Sequence, residues 1–394
     1  MSTLTWLDYS DAERKRALQV VELLGRPETR DELGLGAIRD AFANALFPGI
    51  STVQRRARYF LFIPWTFREA EQRWSGRTDT LAKARRAELR LIEALLDTAE
   101  DEGDSDGIIG SSARKNLRQV PSMIYWQGLA RWGIRRVEGT REQWGRAAAR
   151  SHGTAIDDDG QIVNRSASWW HASLPDPPED WPDRASLKLR PVEADYLRER
   201  IRKRCPDTML ATLIDRREPW TQTQFAWQLD VPELSNRQQT ILRHARRFSE
   251  LMQGAALLYN HALAIATEDE AREAEHRSSL EQWAAAESGA DRTAAQLDEL
   301  WTLLGDLGSR HSTQTRAFVT EWARLTTDPR SILAGSRFTD LVRARELEVK
   351  KRQARLSFDT ARETWRGAAG VGQLEYRWAS AQRQILDVVN AGTA

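Results

Sequence analysis

Apolar residues recur at intervals of three and four along most of this chain, the spacing of one helix face rather than the alternation of a strand. Ser10 and Glu13 form an S-x-x-E capping box, and Ala17, Val20, Val21 and Leu24 follow at helical spacing until Gly25 and Pro27, which predicts a first helix. A second helix is expected over 37–46, ended by Pro48 and Gly49. A third should start at Ser51, carry Val53, Ala57, Phe60 and Leu61 inward, and kink or end at Pro64. Leu81, Ala84, Leu89, Ile92 and Leu96 mark a fourth, closed by the acidic, glycine-containing stretch 101–107, a candidate domain boundary.

From Ile108 the pattern changes. Ser111 or Ser112 can cap a short helix through Leu117, and Pro121 and Ser122 can open another with Ile124, Leu129 and Trp132 inward. Gly133 then closes it before a short extended run, 134–137. Helix, turn, helix and strand is the order of a winged helix, whose second helix would carry Tyr125, Gln127 and Arg131 toward a groove, with Arg135 and Arg136 on the wing. The alternative is that Tyr125, Trp126, Trp132 and Ile134 fill a small core.

Residues 151–191 read as a long irregular connection, with a turn at 157–160 and dense proline at 174–182. Trp169, Trp170 and Trp181 are expected to pin it to a core. Pro191 opens a helix through Cys205. Ser235 and Gln238 cap the strongest helical run, from Ile241 to Ile265, in which Gly254, Ala255 and Ala256 would let another helix approach closely. Amphipathic helices are expected beyond it at about 278–304, 313–325, 337–366 and 371–389, with Trp283, Trp301, Trp322, Trp365 and Trp378 in the seams. The fold class is therefore mainly α and multi-domain: a helical domain at 1–100, a basic and winged-helix-like module at 107–150, the connection at 151–190, a central helical domain at 191–268, and a C-terminal bundle or arm at 269–394.

With 394 residues the chain can bury a large core, and its single cysteine, Cys205, excludes an intrachain disulfide. The charged N-terminus lacks the apolar segment of a secretory signal, and the apolar runs are too short or too interrupted to span a bilayer, so a cytoplasmic protein without a membrane association is expected.

The net charge of +1 hides an asymmetry: 107–150 holds nine Lys or Arg against Glu138 and Glu142, and 51–68 has four Arg and no acid. Arginine interleaved with aromatic residues suits a surface that grips phosphate and stacks on bases. Arg55, Arg56, Arg114, Lys115, Arg118, Tyr125, Gln127, Arg131, Arg135 and Arg136 are the candidate DNA-contacting residues. The same pattern also suits a helical core with basic outer faces.

Signatures of catalysis are scarce. Phosphate-loop, zinc-helix, nucleophile-elbow and dinucleotide motifs do not occur in the sequence. Glu348 and Lys350, with Asp340 upstream, have the residue types of a metal-dependent nuclease, but they fall in a run of helical period, where a charged helix face explains them. His152 and the acids at 157–159 could ligate a metal, or simply make a turn. No cofactor, metal site or catalytic residue is assigned from the sequence.

The blocks STLTWLDYS, LGLGAIRDAFANALFPGISTVQRRARYFLFIPW, GIIGSSARKNLRQVPSMIYWQGLARWGI, SWWHASLPDPPEDWP and RFSELMQGAALLYNHAL resemble an uncharacterised bacterial family, domain of unknown function 6361, over about residues 2–266. The resemblance implies no catalytic residues. It implies a place in anti-phage islands, such as those of the Azaca kind, beside large helicases and phospholipase-D-type nucleases. The expected function is a non-catalytic DNA-contacting or scaffolding subunit of such a defence assembly, with a helicase or nuclease as partner. A protein-interaction scaffold and a metal-dependent nuclease are the alternatives.

Overall fold

The computed structural model of the chain describes residues 31–74, 76–150, 155–156, 162–163, 168–216, 218–289 and 294–391. The expected first helix, near residues 10–24, lies outside them. The fold is mainly α. In chain order the described residues form α1 (Gly36–Leu46), α2 (Tyr59–Trp74), α3 (Thr80–Glu102), α4 (Pro121–Arg131), α5 (Arg141–Arg150), a two-residue antiparallel pair β1 (Ala155–Ile156) and β2 (Ile162–Val163), α6 (Pro191–Arg204), α7 (Met209–Ile214), α8 (Asn236–Ala266), α9 (Glu270–Ala286), α10 (Ala294–Asp306), α11 (Thr313–Leu325), α12 (Ser336–Lys350), α13 (Asp359–Arg362) and α14 (Trp378–Asn390). None of the described helices is long and apolar enough to cross a membrane. The elements fall into two compact units, each discontinuous in sequence: residues 43–242 with 375–394, and the residues up to 42 with 243–374.

In the unit of 43–242 and 375–394, α2 is the central helix. It is buried on nearly every side from Tyr59 to Phe67, as expected of a helix surrounded by others. Of the kink or stop that the sequence predicts at Pro64, the stop is not made: packing on all sides of α2 outweighs the hydrogen bond that proline cannot donate. The helix also starts later than Ser51. Turns occupy the residues before Tyr59, and side chains distant in sequence take their backbone groups. Tyr125 Oη accepts from Arg55 N (2.7 Å) and donates to Arg56 O (3.0 Å), while Asp387 Oδ2 accepts from Ala57 N (2.9 Å).

Aromatic packing joins α2 to its neighbours. Phe60 stacks on Trp132 at 3.8 Å, Phe67 lies between Trp126 and Trp144, and Phe62 stacks on Trp181 at 5.3 Å. Trp170 meets Phe67 and Trp126 edge-on. Trp170 and Trp181 thus hold the described part of the 151–190 connection against α2, and Trp65 Nε1 adds a bond to Pro175 O (2.6 Å). α3 ends where the sequence says it should, with Gly103 in the left-handed conformation and its N–H on Ala99 O (2.9 Å). α14 packs on α6 and α7.

The order expected of a winged helix is not found at 108–138. One 3₁₀ turn, Arg114–Asn116, stands where a first helix was expected, and α4 follows it. The extended run 134–137 makes a single bridge, Arg135 to Trp170, in place of a wing hairpin. Gly110, with φ of +88°, and the bond from Ile109 N to Tyr59 Oη (2.9 Å) turn the chain onto α2 before a helix can propagate.

In the other unit, α8 supplies the spine. Its predicted capping box is present: Ser235 N bonds Gln238 Oε1 (2.9 Å) and Gln238 N bonds Ser235 Oγ (3.3 Å). Gly254 admits Trp283 of α9, whose Cζ2 lies 2.3 Å from where a Cβ would stand. Trp283 Nε1 bonds Glu250 O and Trp322 Nε1 bonds Leu251 O, so two tryptophans seal the seam. The expected helix 278–304 is two, α9 and α10, with Gly289 at φ of +88° between them. The expected helix 337–366 ends at Lys350, because Lys351 has a φ of +54° and Glu346 accepts the N–H groups of Arg355 (2.8 Å) and Leu356 (2.9 Å) in the following turn.

Candidate nucleic-acid interface

α4 begins at Pro121, and the buried carboxylate of Glu88 on α3 receives its first free donors. Oε1 accepts from Ser122 N (2.7 Å) and Oε2 from Ser122 Oγ (2.9 Å), with Arg141 Nη1 on the same hydroxyl at 3.2 Å. Burial pushes the Glu88 carboxyl up to about 7, against the Ser122 bonds that lower it. At the other end, Gly128 lets the helix rest on the 48–50 turn, since a Cβ there would be 2.5 Å from Gly49 O. Trp132 Nε1 closes the contact on Pro48 O (2.9 Å).

This anchoring separates the ten candidate residues into inner and outer groups. Tyr125, Arg56 and Arg135 are buried. Their expected place on a DNA-facing surface is corrected, because each is buried and bonded within the fold. Arg56 Nε bonds Asp387 (3.0 Å) and its Nη1 bonds Asp104 (2.9 Å). Arg135 lies over the Trp126 ring at 4.9 Å, with Nη1 on Val137 O. Arg55, Arg114, Arg118, Gln127, Arg131 and Arg136 are exposed, and Arg114 pairs with Glu93 at 2.9 Å. The side chain of Lys115 lies outside the described residues.

Arg55, Arg114, Arg118 and Gln127 are not brought together by contact, but Arg131 and Arg136 are joined by residues of α6 outside the ten candidates. Around Gly133, φ +66°, a Cβ would be 2.6 Å from Arg200 Nη2 and 3.1 Å from Arg204 Nε. Arg200 is the inner brace: Nε bonds Trp132 O (3.2 Å), Nη2 bonds Gly133 O (3.3 Å), and Nη1 donates to His171 Nε2 (2.8 Å). Burial, and next the Arg200 charge, push the His171 pKa down; Arg136 and Lys203 act on it in the same direction. On the far side of the turn, burial pushes the Cys205 thiol up while the Arg131 and Arg204 charges oppose it, and the thiol bonds the Arg131 side chain. The ends of α4 and α6 thus converge, with Arg131, Arg136, Lys203 and Arg204 all exposed.

Lys203 pairs with Glu199 (2.5 Å) and Arg202 with Asp215 (2.5 Å). Among the described residues Arg131, Arg136 and Arg204 have no carboxylate within ion-pair distance. Arg131 and Arg204 also lie in the last turns of their helices, where they complement the negative helix ends. The signal that could have found Lys203 and Arg204 is the run R-I-R-K-R at 200–204, directly before the cysteine.

The other candidate chemistry disperses. Lys350 pairs with Glu32 and, at 3.5 Å, with Glu346, which also accepts from Tyr259 Oη (2.6 Å). Glu348 pairs with Arg345 (2.7 Å) and Asp340 with Arg343 (3.4 Å). The three nuclease candidates therefore sit in separate ion pairs, and among the described residues no group of three His, Cys, Asp or Glu is placed to hold a metal ion. His152 and residues 157–159 lie outside the described residues. A cavity of about 990 Å³ opens between α8 and α9, but Arg243, Arg246 and Arg247 on its wall are accompanied by Glu250 and Glu275, and Arg246 is already paired with Glu250 at 2.7 Å.

Neither the curated proteins nor the solved structures include one similar to this chain. The resemblance noted over 2–266 extends through the C-terminal helices as well: the chain belongs to the family of unknown function DUF6361, whose pattern matches residues 1–392.

Proposed function

We propose that this chain is a nucleic-acid-contacting subunit that acts beside a separate enzyme, with DNA as its ligand and the ends of α4 and α6 as its contact surface. The observation that carries the reading is the convergence around Gly133 of Arg131, Arg136 and Arg204, three exposed guanidiniums without carboxylate partners among the described residues. Uncompensated arginines held on two helix ends and on the extended run beside them suit phosphate, which they can meet through paired N–H donors. Near-neutral net charge does not oppose this, since local fields steer a polyanion.

A bacterial anti-phage assembly, with a helicase or phospholipase-D-type nuclease as the catalytic partner, is the setting we propose from the family resemblance. Fluorescence anisotropy with labelled DNA at low salt tests the contact. Binding should be measurable for the wild type and lost in an R131E/R136E/R204E variant whose melting temperature is unchanged. A wild type without DNA affinity would leave the patch as a surface for a protein partner.

A further inference from the structure

The aromatic residues interleaved with the arginines face inward. Tyr59, Phe60, Phe62, Trp65, Tyr125, Trp126 and Trp132 are each no more than 5% exposed. Their polar groups are committed too: Tyr59 Oη to Ile109 N, Tyr125 Oη to Arg55 and Arg56, Trp126 Nε1 to Gly139 O (2.8 Å) and Trp132 Nε1 to Pro48 O. Two rings beside the patch are only half-buried: His171, which is tied to Arg200 Nη1 (2.8 Å) and packs on Tyr196 with centroids 5.8 Å apart, and Trp169. Trp169 leans on Trp126, with centroids 6.4 Å apart, and closes over Gly139, where a Cβ would be 3.1 Å from its Cη2. Its carbonyl accepts from Arg136 N (2.8 Å), so the ring is packed against the fold while the guanidinium beside it points outward.

Proteins that hold single strands combine a basic groove with aromatic faces on which the splayed bases stack. Among the described residues the patch around Gly133 offers the first element, while the rings beside it are packed against the fold. A duplex keeps its bases stacked inward and presents two closely spaced rows of phosphate, so it needs only the cations.

We infer that the preferred ligand of this patch is double-stranded nucleic acid, gripped through its phosphates without reading sequence, and that single strands bind it less tightly. The inference rests on the nucleic-acid reading proposed above. Arg131, Arg136 and Arg204 set the size of the electrostatic contribution: neutralising about three phosphates gives a log Kd against log salt slope of about 3 in magnitude.

The test is a titration of the full chain with fluorescein-labelled probes at several salt concentrations. The probes are two duplexes of about 20 base pairs with unrelated sequences and the single strand of one of them. The two duplexes should bind within about twofold of each other and the single strand about fivefold or more weakly, with the slope falling by about one for each of R131E, R136E and R204E. W169A should leave the ratio of single-strand to duplex affinity unchanged. Tighter binding of the single strand, selective loss of its affinity in W169A, or discrimination of about tenfold or more between the duplexes overturns the inference while leaving nucleic-acid contact standing. Absence of binding by every probe at low salt overturns both, and the single-strand comparison keeps the two failures apart.

Discussion

The carboxylate of Glu88 takes both polar groups of Ser122, the backbone N–H at 2.7 Å and the hydroxyl at 2.9 Å, and so fixes the start of the helix that ends at Arg131. A buried acid whose pKa is raised from 4.5 to about 7 binds its proton more tightly in the folded chain than in the unfolded one. Its contribution to stability is therefore complete below about pH 4.5 and is lost as pH rises through about 7, on the order of 3 kcal/mol in all. Denaturant titrations between pH 5 and 8 should show wild-type stability falling with pH and a flatter dependence for E88Q. Parallel curves for the two proteins would show that Glu88 titrates as it does in the unfolded chain.

Arg56 and Arg136 look alike in sequence and should behave oppositely. Arg56 is enclosed by Asp387 and Asp104, and Asp387 also accepts Ala57 N. Removing one member of such a pair strands the other, so D387A should lower stability by about 3 kcal/mol. R136E, changing an exposed side chain, should leave the melting temperature within the error of the measurement while weakening DNA binding. Thermal melts of both variants decide the matter, and a normal melt for D387A would count against a structural role for Arg56.

Trp283 occupies the space above Gly254, where even a methyl group would lie 2.3 Å from the ring. G254A should thus force the indole aside and cost about 1–3 kcal/mol despite the better helix propensity of alanine. Near-ultraviolet circular dichroism with a thermal melt reads both effects. An unshifted spectrum together with a raised melting temperature would mean that the seam is looser than its geometry.

Helices with a clean period and a local stop signal were legible in the sequence. α1 ends before Pro48 and Gly49, α3 at its glycine cap, α8 begins at its capping box, and α11 spans the expected 313–325. What periodicity could not supply was decided over long sequence separations. Pro64 is carried inside α2 by packing on all sides, and the helix expected from Ser51 is displaced by bonds to Tyr125 and Asp387, 70 and 330 residues away.

The same holds at the basic surface. Charge counting marked Arg131 and Arg136 but could not tell them from Arg135, because alternate neighbours in an extended run face opposite ways and only the packing on Trp126 says which is inside. Arg204 was invisible as a neighbour of Arg131 until α6 was placed beside Gly133.

The most direct test of where this protein meets DNA is hydrogen–deuterium exchange of the full chain with and without a duplex at low salt. Slowed exchange should be concentrated at 129–137 and 200–206, the turn around Gly133 and the end of α6. Protection confined to other segments, such as the walls of the cavity between α8 and α9, or no protection at saturating duplex, would contradict the assignment of the contact surface to Arg131, Arg136 and Arg204.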